Sequence, residues 1–266
     1  LVRESYSDPL GTWSTNVMGT VNILESARCT PSVKCCVVVS TDKCYENMEQ
    51  LWGYRESDRM GGHDPYSASK GAVELAVQSY NRSYPSDSSI LSSARAGNVI
   101  GGGDWSKDRI VVDFVNSISL DSNIELRNPL ATRPWQHVLE PLSGYLLLSA
   151  RGRSGDRSIT CPWKCGPSWE SVISVEDLAL RLIKNWGRGS VTKAPTTSDM
   201  HEANLLMLDC TKANVSLGWN GLLSINDTVE MTVEWYKGHM SGVDARMMTQ
   251  AQINNYLEIA VSKHAP

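Results

Sequence analysis

A short, continuously apolar run at residues 34–40 constrains the fold more than any other feature of this sequence. It reads Lys-Cys-Cys-Val-Val-Val-Ser, and a long polar segment follows at residues 41–64. A strand this short and this apolar is typical of a parallel sheet that is covered on both faces. Because ligands bind at the carboxyl ends of the strands in such sheets, we expect functional groups in the segment after this strand.

The flanking segments alternate between helical and extended patterns. We predict helices at residues 9–27, 65–80, 109–120 and 140–150, and strands at residues 34–40, 90–96 and 134–138. This alternation predicts an α/β fold with a doubly wound parallel sheet. Shorter helices are predicted at residues 175–185, 211–217, 226–239 and 249–257, which indicates a smaller α/β lobe. We therefore assign residues 1–98, with 133–160 returning, to the sheet domain, and residues 99–132 with 161–266 to the lobe.

The composition favours a small-molecule partner. With 25 Lys and Arg against 29 Asp and Glu, the net charge is −4, so a basic surface for nucleic acid or an anionic membrane is not expected. No stretch approaches the about 20 apolar residues of a membrane span. The seven cysteines follow no secretory signal, which predicts reduced thiols in a cytoplasmic protein. No Cys or His spacing fits a metal site, and we predict none.

Tyr66 and Lys70 lie four residues apart at the start of the helix predicted at residues 65–80, so both project from one face. A phenol becomes a base near neutral pH only if a nearby cation stabilises its phenolate, and a lysine one turn away supplies that charge. The spacing alone equally fits a tyrosine packed against a lysine stem. The context favours chemistry, because the strand before this helix delivers Ser40, Thr41 and Asp42 to its carboxyl end.

These motifs resemble those of the extended short-chain dehydrogenase/reductase family, and within it the nucleotide-sugar 4,6-dehydratases. The similarity covers essentially the whole chain and is carried by residues 11–20, 24–27, 38–42, 65–70, 94–103 and 133–138. Residues 40–45, 97–105 and 133–138 are similar to the branch that acts on CDP-glucose. The resemblance implies a Rossmann-type sheet that binds NAD, a substrate-binding lobe, and a homo-oligomer acting on CDP-glucose or a related nucleotide sugar.

The resemblance also implies a role for each matching residue. Tyr66 would be the base for the sugar 4-hydroxyl and Lys70 its partner, Thr41 would orient that hydroxyl, and Asp42 would protonate the departing 6-hydroxyl. The remaining implied positions bind the ligands: Ser40, Asn16, Tyr66 and Lys70 for the cofactor, and Asn98, Arg133, Arg3, Trp105 and Arg109 for the substrate.

One position departs from the usual family pattern and leaves a role open. Most dehydratases of this kind carry glutamate after the acidic residue, as the base for the C5 proton, whereas this chain has Lys43. The CDP-glucose branch shares that lysine, and a neutral Lys43 amine is one candidate base. A sister 4-epimerase, which needs no acid at C6, is a second reading of the sequence.

The start of the sequence also departs from the family. Leu1 to Tyr6 resemble the stretch just after the fourth strand of the family, and no Gly-rich dinucleotide turn occurs between a predicted strand and helix. We therefore expect a truncated Rossmann domain. This absence leaves a third reading open, a non-catalytic module that holds a nucleotide sugar.

Overall fold

The computed structural model describes residues 1–85, 89–193 and 204–264. The helices are α1 (Val2–Ser7), α2 (Pro9–Trp13), α3 (Gly19–Cys29), α4 (Pro65–Ser83), α5 (Ile110–Ser119), α6 (Leu139–Arg153), α7 (Val175–Trp186), α8 (Ile225–Met240) and α9 (Ala245–His264). The strands are β1 (Cys35–Thr41), β2 (Ile90–Ala96), β3 (Asn98–Ile100), β4 (Ile124–Leu126), β5 (Thr132–His137), β6 (Pro162–Cys165), β7 (Val172–Ser174) and β8 (Val191–Lys193). None of the helices in these ranges has the length and apolar character needed to traverse a lipid bilayer.

The chain divides into two compact units. Unit 1 comprises Leu1–Gly97, Pro141–Gly166 and Met200–Asn220, and unit 2 comprises Asn98–Glu140, Pro167–Asp199 and Gly221–Pro266. The predicted division placed residues 98 and 133–140 in the sheet domain and residues 161–166 and 204–220 in the lobe, whereas the first two belong to unit 2 and the last two to unit 1. Residues 161–166 belong to unit 1 because β6 pairs in parallel with β2 of its sheet. This strand escaped prediction because it contains Lys164, a residue type seldom found inside a sheet without a charged partner.

Unit 1 is built on a parallel sheet with the order β1, β2, β6. The apolar run predicted as a strand forms β1, shifted by one residue, and β2 has the predicted bounds. A core on this sheet is formed by buried apolar residues from the strands, from α6, from the 3-10 turn Arg157–Ile159 and from the segment after Cys210, namely Ile90, Ala94, Leu148, Ile159, Trp163, Cys165, Ala213, Leu217 and Trp219. The unit is therefore stabilised by the burial of apolar side chains against a parallel sheet.

The helix predicted at residues 9–27 starts at Pro9 as expected, but α1 precedes it and the segment is not uniform. The Asp8 carboxylate accepts a hydrogen bond from the Gly11 backbone N–H at 2.8 Å, and Pro9 occupies the first helical turn. Residues Ser14–Met18 then form a single π-helical turn between α2 and α3. π-Turns within helices occur frequently at functional sites, and this one contains Asn16.

Unit 2 contains a mixed sheet in which β5 pairs in parallel with β3 and antiparallel with β7. Its core combines α5, α7 and α8 with these strands through Phe114, Leu178, Leu182, Val229 and Trp235, among others. A tight packing constraint lies at Gly102, where an added Cβ would stand 2.1 Å from the Trp235 ring. Glycine at this position thus permits the close approach of the 101–103 loop to α8.

We expect the stability of unit 2 to depend on pH through His137. This residue is buried, and its Nδ1 accepts a hydrogen bond from the Leu139 backbone N–H at 3.3 Å. Burial lowers the His137 pKa to about 4, whereas the unfolded chain takes up the proton near pH 6.5. The unfolded state therefore binds more protons between these values, and the free energy of unfolding should fall by about 3 kcal/mol as the pH is lowered through this window.

Urea denaturation at pH 7 and at pH 4.5 measures this dependence. A His137→Gln variant should lose most of the difference between the two pH values, whereas His63→Gln, at an exposed histidine, should retain it. Equal pH dependence in the two variants would contradict the assignment to His137.

Candidate active site

The carboxyl end of the unit 1 sheet brings together the polar residues that follow β1. Thr41 lies opposite Ala96 of β2, and Ala96 lies opposite Cys165 of β6, so these three strands end at one level. Ser40 and Thr41 are buried at this edge, and Asp42 begins a short 3-10 turn, Asp42–Cys44. The predicted location of Ser40, Thr41 and Asp42 at the strand end is therefore confirmed.

The two oxygens of the Asp42 carboxylate have different surroundings. Oδ1 accepts a hydrogen bond from Thr41 Oγ1 at 3.0 Å and lies 3.1 Å from the Lys43 ammonium. Oδ2 is buried and has no hydrogen-bond partner among the described residues. A buried carboxylate oxygen without a donor is costly, so Oδ2 is an atom that a bound ligand can satisfy.

Two further groups complete this edge. The Ser40 hydroxyl oxygen is likewise buried and without a hydrogen bond in the part of the chain that the structure describes. Lys43 is not buried, because its side chain is 30% exposed while the Asp42 side chain is fully covered. Lys43 therefore forms an ion pair with Asp42 and remains accessible to solvent.

The first turn of α4 presents Tyr66. Asp64 caps this helix by accepting hydrogen bonds from the Ser67 backbone N–H at 2.9 Å and the Ser67 hydroxyl at 2.6 Å, and Pro65 occupies its first position. The Tyr66 backbone N–H donates to Ser5 Oγ of α1 at 3.1 Å. These bonds satisfy donors that a helix start leaves unpaired, so they fix the turn from which the half-buried Tyr66 side chain projects.

Lys70 follows one turn later on the same helix. Its ammonium nitrogen lies 3.5 Å from the Val39 carbonyl oxygen of β1, and its side chain is half-buried. Burial lowers the Lys70 pKa, and the charges of Glu74 and Cys44 oppose that effect. The helical spacing and the approach to β1 bring Lys70 to the sheet on which Thr41 and Asp42 lie.

Two other predicted site residues of unit 1, Asn16 and Arg3, belong to segments that pack against α4. The Asn16 amide donates to the Ser69 hydroxyl at 2.9 Å, and that hydroxyl donates to the Tyr66 carbonyl oxygen at 2.7 Å. Asn16 is thereby linked to the backbone of Tyr66. Arg3 lies on α1, which packs against α4.

A buried ionic cluster beneath this edge was not predicted from the sequence. Arg95 of β2 and Glu74 of α4 are both fully buried, and Arg95 Nη2 lies 2.9 Å from Glu74 Oε2. Arg95 Nη1 donates to the Tyr45 hydroxyl at 2.5 Å, and Lys164 of β6 donates to the Tyr54 carbonyl oxygen. An arginine within an otherwise small and apolar strand is the sequence signal that identifies such a cluster, because a buried guanidinium requires a buried acid.

Breaking this cluster on one side should destabilise unit 1 strongly. Arg95→Met leaves the Glu74 carboxylate buried without its cation, and we expect a loss of about 3–5 kcal/mol in the free energy of unfolding. Arg59→Met is the matched control, since Arg59 pairs with Glu46 at 2.7 Å on the surface, and it should cost at most about 1 kcal/mol. Chemical denaturation measures both values, and similar losses in the two variants would contradict a special role of burial.

The other predicted site residues lie in unit 2. Asn98 begins β3 and pairs with Trp135, and Arg133 on the adjacent β5 donates to the Thr132 carbonyl oxygen at 2.8 Å. Trp105 is 48% exposed, and its ring packs edge-on against Tyr236. The Arg109 guanidinium lies 3.8 Å from the Asp104 carboxylate. Within residues 1–85, 89–193 and 204–264, no three potential metal ligands cluster together.

Comparison with known proteins places this chain among sugar-nucleotide enzymes. The GDP-mannose 4,6 dehydratase family matches residues 1–232. CDP-glucose 4,6-dehydratase of Salmonella typhimurium is 41% identical over 263 residues, which are 97% of this chain and 73% of that protein.

Solved structures show the same fold. The crystal structure of a dTDP-glucose 4,6-dehydratase from Streptomyces venezuelae with NAD bound superposes with a TM-score of 0.79 at 24% identity, covering 92% of this chain and 72% of that one. UDP-glucose 4-epimerase from Thermotoga maritima gives 0.76 at 20% identity, covering 90% and 74%. The predicted α/β class and the predicted resemblance are confirmed, and the chain belongs to the GDP-mannose 4,6 dehydratase family.

Proposed function

We propose that this chain carries the catalytic residues of an NAD-dependent CDP-glucose 4,6-dehydratase, which converts CDP-glucose to CDP-4-keto-6-deoxyglucose and water. The 41% identity with the Salmonella typhimurium CDP-glucose 4,6-dehydratase supports the substrate. The reaction is supported above all by Asp42 Oδ2, a buried carboxylate oxygen without a partner among the described residues, at the carboxyl end of β1. A 4-epimerase needs no acid at C6 and gives no reason for this arrangement.

Two groups of unit 1 fit a dinucleotide. The unsatisfied Ser40 hydroxyl offers a hydrogen-bonding group at the sheet edge, and Lys70 offers a cation beside β1. When bound, NAD accepts a hydride from C4 of the sugar and returns it to C6. We assign Ser40, Tyr66, Lys70 and Asn16 to its binding, with Asn16 acting through Ser69 on the turn that carries Tyr66.

Tyr66 removes the proton of the sugar 4-hydroxyl as C4 is oxidised from an alcohol to a ketone. Lys70 stabilises the phenolate that this step requires, since a positive charge one helical turn away favours the ionised phenol. Thr41 orients the 4-hydroxyl. Its own hydroxyl donates to Asp42 Oδ1 and accepts from the Lys43 backbone N–H at 3.4 Å, which leaves one lone pair of Thr41 Oγ1 to accept from the sugar.

Asp42 and Lys43 serve the elimination. The C4 ketone acidifies the C5 proton, which Lys43 removes, and the 6-hydroxyl leaves as water with a proton from Asp42. Asp42 Oδ1 is already engaged by Thr41 and Lys43, so Oδ2 is the oxygen that delivers this proton. Lys43 would return the proton to C5, and the hydride that bound NAD would supply to C6 would complete the 4-keto-6-deoxy product.

Unit 2 supplies the nucleotide contacts in this proposal. Asn98 and Arg133 bind the pyrophosphate, for which a planar guanidinium offers two parallel donors. Trp105 and Arg109 bind the nucleoside end, and Arg3 of unit 1 is a further substrate contact. Unit 1 is thus the dinucleotide-binding domain and unit 2 the substrate lobe.

Two broader features belong to the same proposal. The seven cysteines are free thiols, which suits a cytoplasmic enzyme. Exposed apolar side chains on the segment from α2 to α3, including Leu10, Met18 and Ile23, suit a homo-oligomer. Sedimentation velocity measures the oligomeric state, and a monomer at micromolar concentration would contradict the proposed homo-oligomer.

The decisive test is turnover by the protein that carries this chain. Incubation with NAD and CDP-glucose should yield a product 18 Da lighter than the substrate, detected by mass spectrometry. With dTDP-glucose and GDP-mannose as matched alternatives, kcat/KM for CDP-glucose should be at least about tenfold higher, which is the discrimination given by about 1.4 kcal/mol. Interconversion of C4 epimers without loss of water would support an epimerase, and binding of the nucleotide sugar without turnover would support a non-catalytic module.

A further inference from the structure

Lys70 and Glu74 form a pair along one face of α4, beneath the first turn that carries Tyr66. They are four residues apart, a spacing that brings two side chains of a helix into proximity. Lys70 is half-buried, whereas Glu74 is fully buried. A lysine at the site thus has a completely desolvated carboxylate as its neighbour one turn further along the helix.

The position of the Glu74 carboxylate is fixed. Its Oε2 accepts a hydrogen bond from the Ser93 hydroxyl at 2.7 Å and is paired with Arg95 at 2.9 Å. Its Oε1 is buried and has no hydrogen-bond partner within the described residues. Arg95 and Ser93 offset the cost of burying the negative charge, and that charge acts on its surroundings with little screening by water.

The charges that act on Lys70 are few. The elements that pack against α4 carry these titratable groups: Arg3, Glu4 and Tyr6 on α1, Asp8 before α2, Glu25, Arg28 and Cys29 on α3, Cys35 and Cys36 on β1, Asp42, Lys43 and Cys44 on the 42–44 turn, and Arg95 on β2. Among the described residues, only Glu74 and Cys44 raise the Lys70 pKa, against the effect of burial. The Cys44 thiol is itself buried and its pKa is raised to about 12, so it is neutral near pH 7. Glu74 is therefore the fixed negative charge that acts on Lys70.

We propose that Glu74 is a positioning residue whose buried carboxylate, anchored by Arg95 and Ser93, keeps the Lys70 side chain in the ammonium form. This inference rests on the proposed function, in which the Lys70 ammonium stabilises the Tyr66 phenolate. Glu74 acts on the chemistry through Lys70. The buried Glu74–Arg95 pair thus stabilises the fold and also holds the charge that favours the Lys70 ammonium beside Tyr66.

Competitive labelling with acetic anhydride tests this link without requiring activity. The modification of Lys70 is quantified by mass spectrometry as a function of pH, which gives the midpoint for loss of its proton. In Glu74→Gln, which keeps one acceptor oxygen for Ser93 and Arg95 but lacks the charge, this midpoint should move to lower pH by about one unit, a tenfold change in proton affinity. Glu140→Gln, at a buried glutamate of unit 2, is the matched control and should leave the Lys70 midpoint unchanged.

A second variant covers the case in which Glu74→Gln does not fold. Glu74→Met combined with Arg95→Met removes both charges of the buried pair and fills their space with apolar groups, an exchange that proteins often tolerate. The Lys70 midpoint should again move to lower pH. An unchanged midpoint in the variants that fold, or an equal shift in Glu140→Gln, would overturn the proposal.

The pH profile of turnover separates this proposal from the proposed function. If both hold, the alkaline limb of kcat/KM moves to lower pH in Glu74→Gln, together with the labelling midpoint. If the unaltered protein forms no 4-keto-6-deoxy product while the labelling midpoint still shifts, the proposed function fails and the action of Glu74 on Lys70 stands. If product forms normally and the alkaline limb is the same in Glu74→Gln, the positioning role fails.

Discussion

Replacement of Tyr66 by phenylalanine is expected to lower kcat for dehydration by about 10²–10⁴-fold, the contribution typical of a positioned general base. The variant lacks only the phenolic oxygen. Its backbone N–H still donates to Ser5 Oγ, and its carbonyl oxygen still accepts from Ser69, so the start of α4 is preserved. Steady-state kinetics with CDP-glucose measure the loss, and the thermal melting temperature shows whether the fold is retained.

Tyr80→Phe is the matched control on the same helix. The Tyr80 hydroxyl donates to Glu25 of α3 at 3.3 Å and has no part in the proposed chemistry. Removal of this hydroxyl should change kcat by less than about twofold, as for a substitution remote from the reacting atoms. Turnover in Tyr66→Phe within a few-fold of the unaltered protein would remove Tyr66 from its proposed role.

Replacement of Asp42 by asparagine is expected to lower kcat by a similar factor, about 10²–10⁴-fold, through a different step. The asparagine oxygen can still accept from Thr41 and Lys43 as Oδ1 does. An amide in place of Oδ2 cannot supply a proton to the departing 6-hydroxyl. The chemistry at C4 and C5 does not need that proton, so the block should fall at the loss of water.

Deuterium exchange distinguishes the two substitutions. Substrate recovered from Asp42→Asn in D₂O should carry deuterium at C5, because the C4 ketone still forms and acidifies that proton. Substrate recovered from Tyr66→Phe should carry almost none. Asp58→Asn, in the segment between the 42–44 turn and α4, is the control and should retain both turnover and exchange. An absence of C5 exchange in Asp42→Asn would show that Asp42 acts before the elimination.

Much of the fold followed from local patterns. The continuous apolar run gave β1 to within one residue, Asp8 and Pro9 located the helix start, and the spacing of Tyr66 and Lys70 located one face of α4. These features depend on residues within one or two turns of each other, so a single sequence reveals them. The strand that contains Lys164 was missed because its burial depends on partners distant in the sequence.

The sequence by itself determined the alternation of helices and strands and the chemical groups at the end of β1. Only the tertiary structure decided which Asp42 oxygen lacks a partner among the described residues. It also decided that Glu74 pairs with Arg95, 21 residues away, and that Lys164 donates to Tyr54, 110 residues away. The physical reason is that backbone conformation depends on residues adjacent in the sequence. The partner of a buried charge depends instead on which distant segment of the chain packs beside it. For this protein the groups that we propose for acid–base chemistry could therefore be predicted from the sequence, whereas the buried charges around them could not.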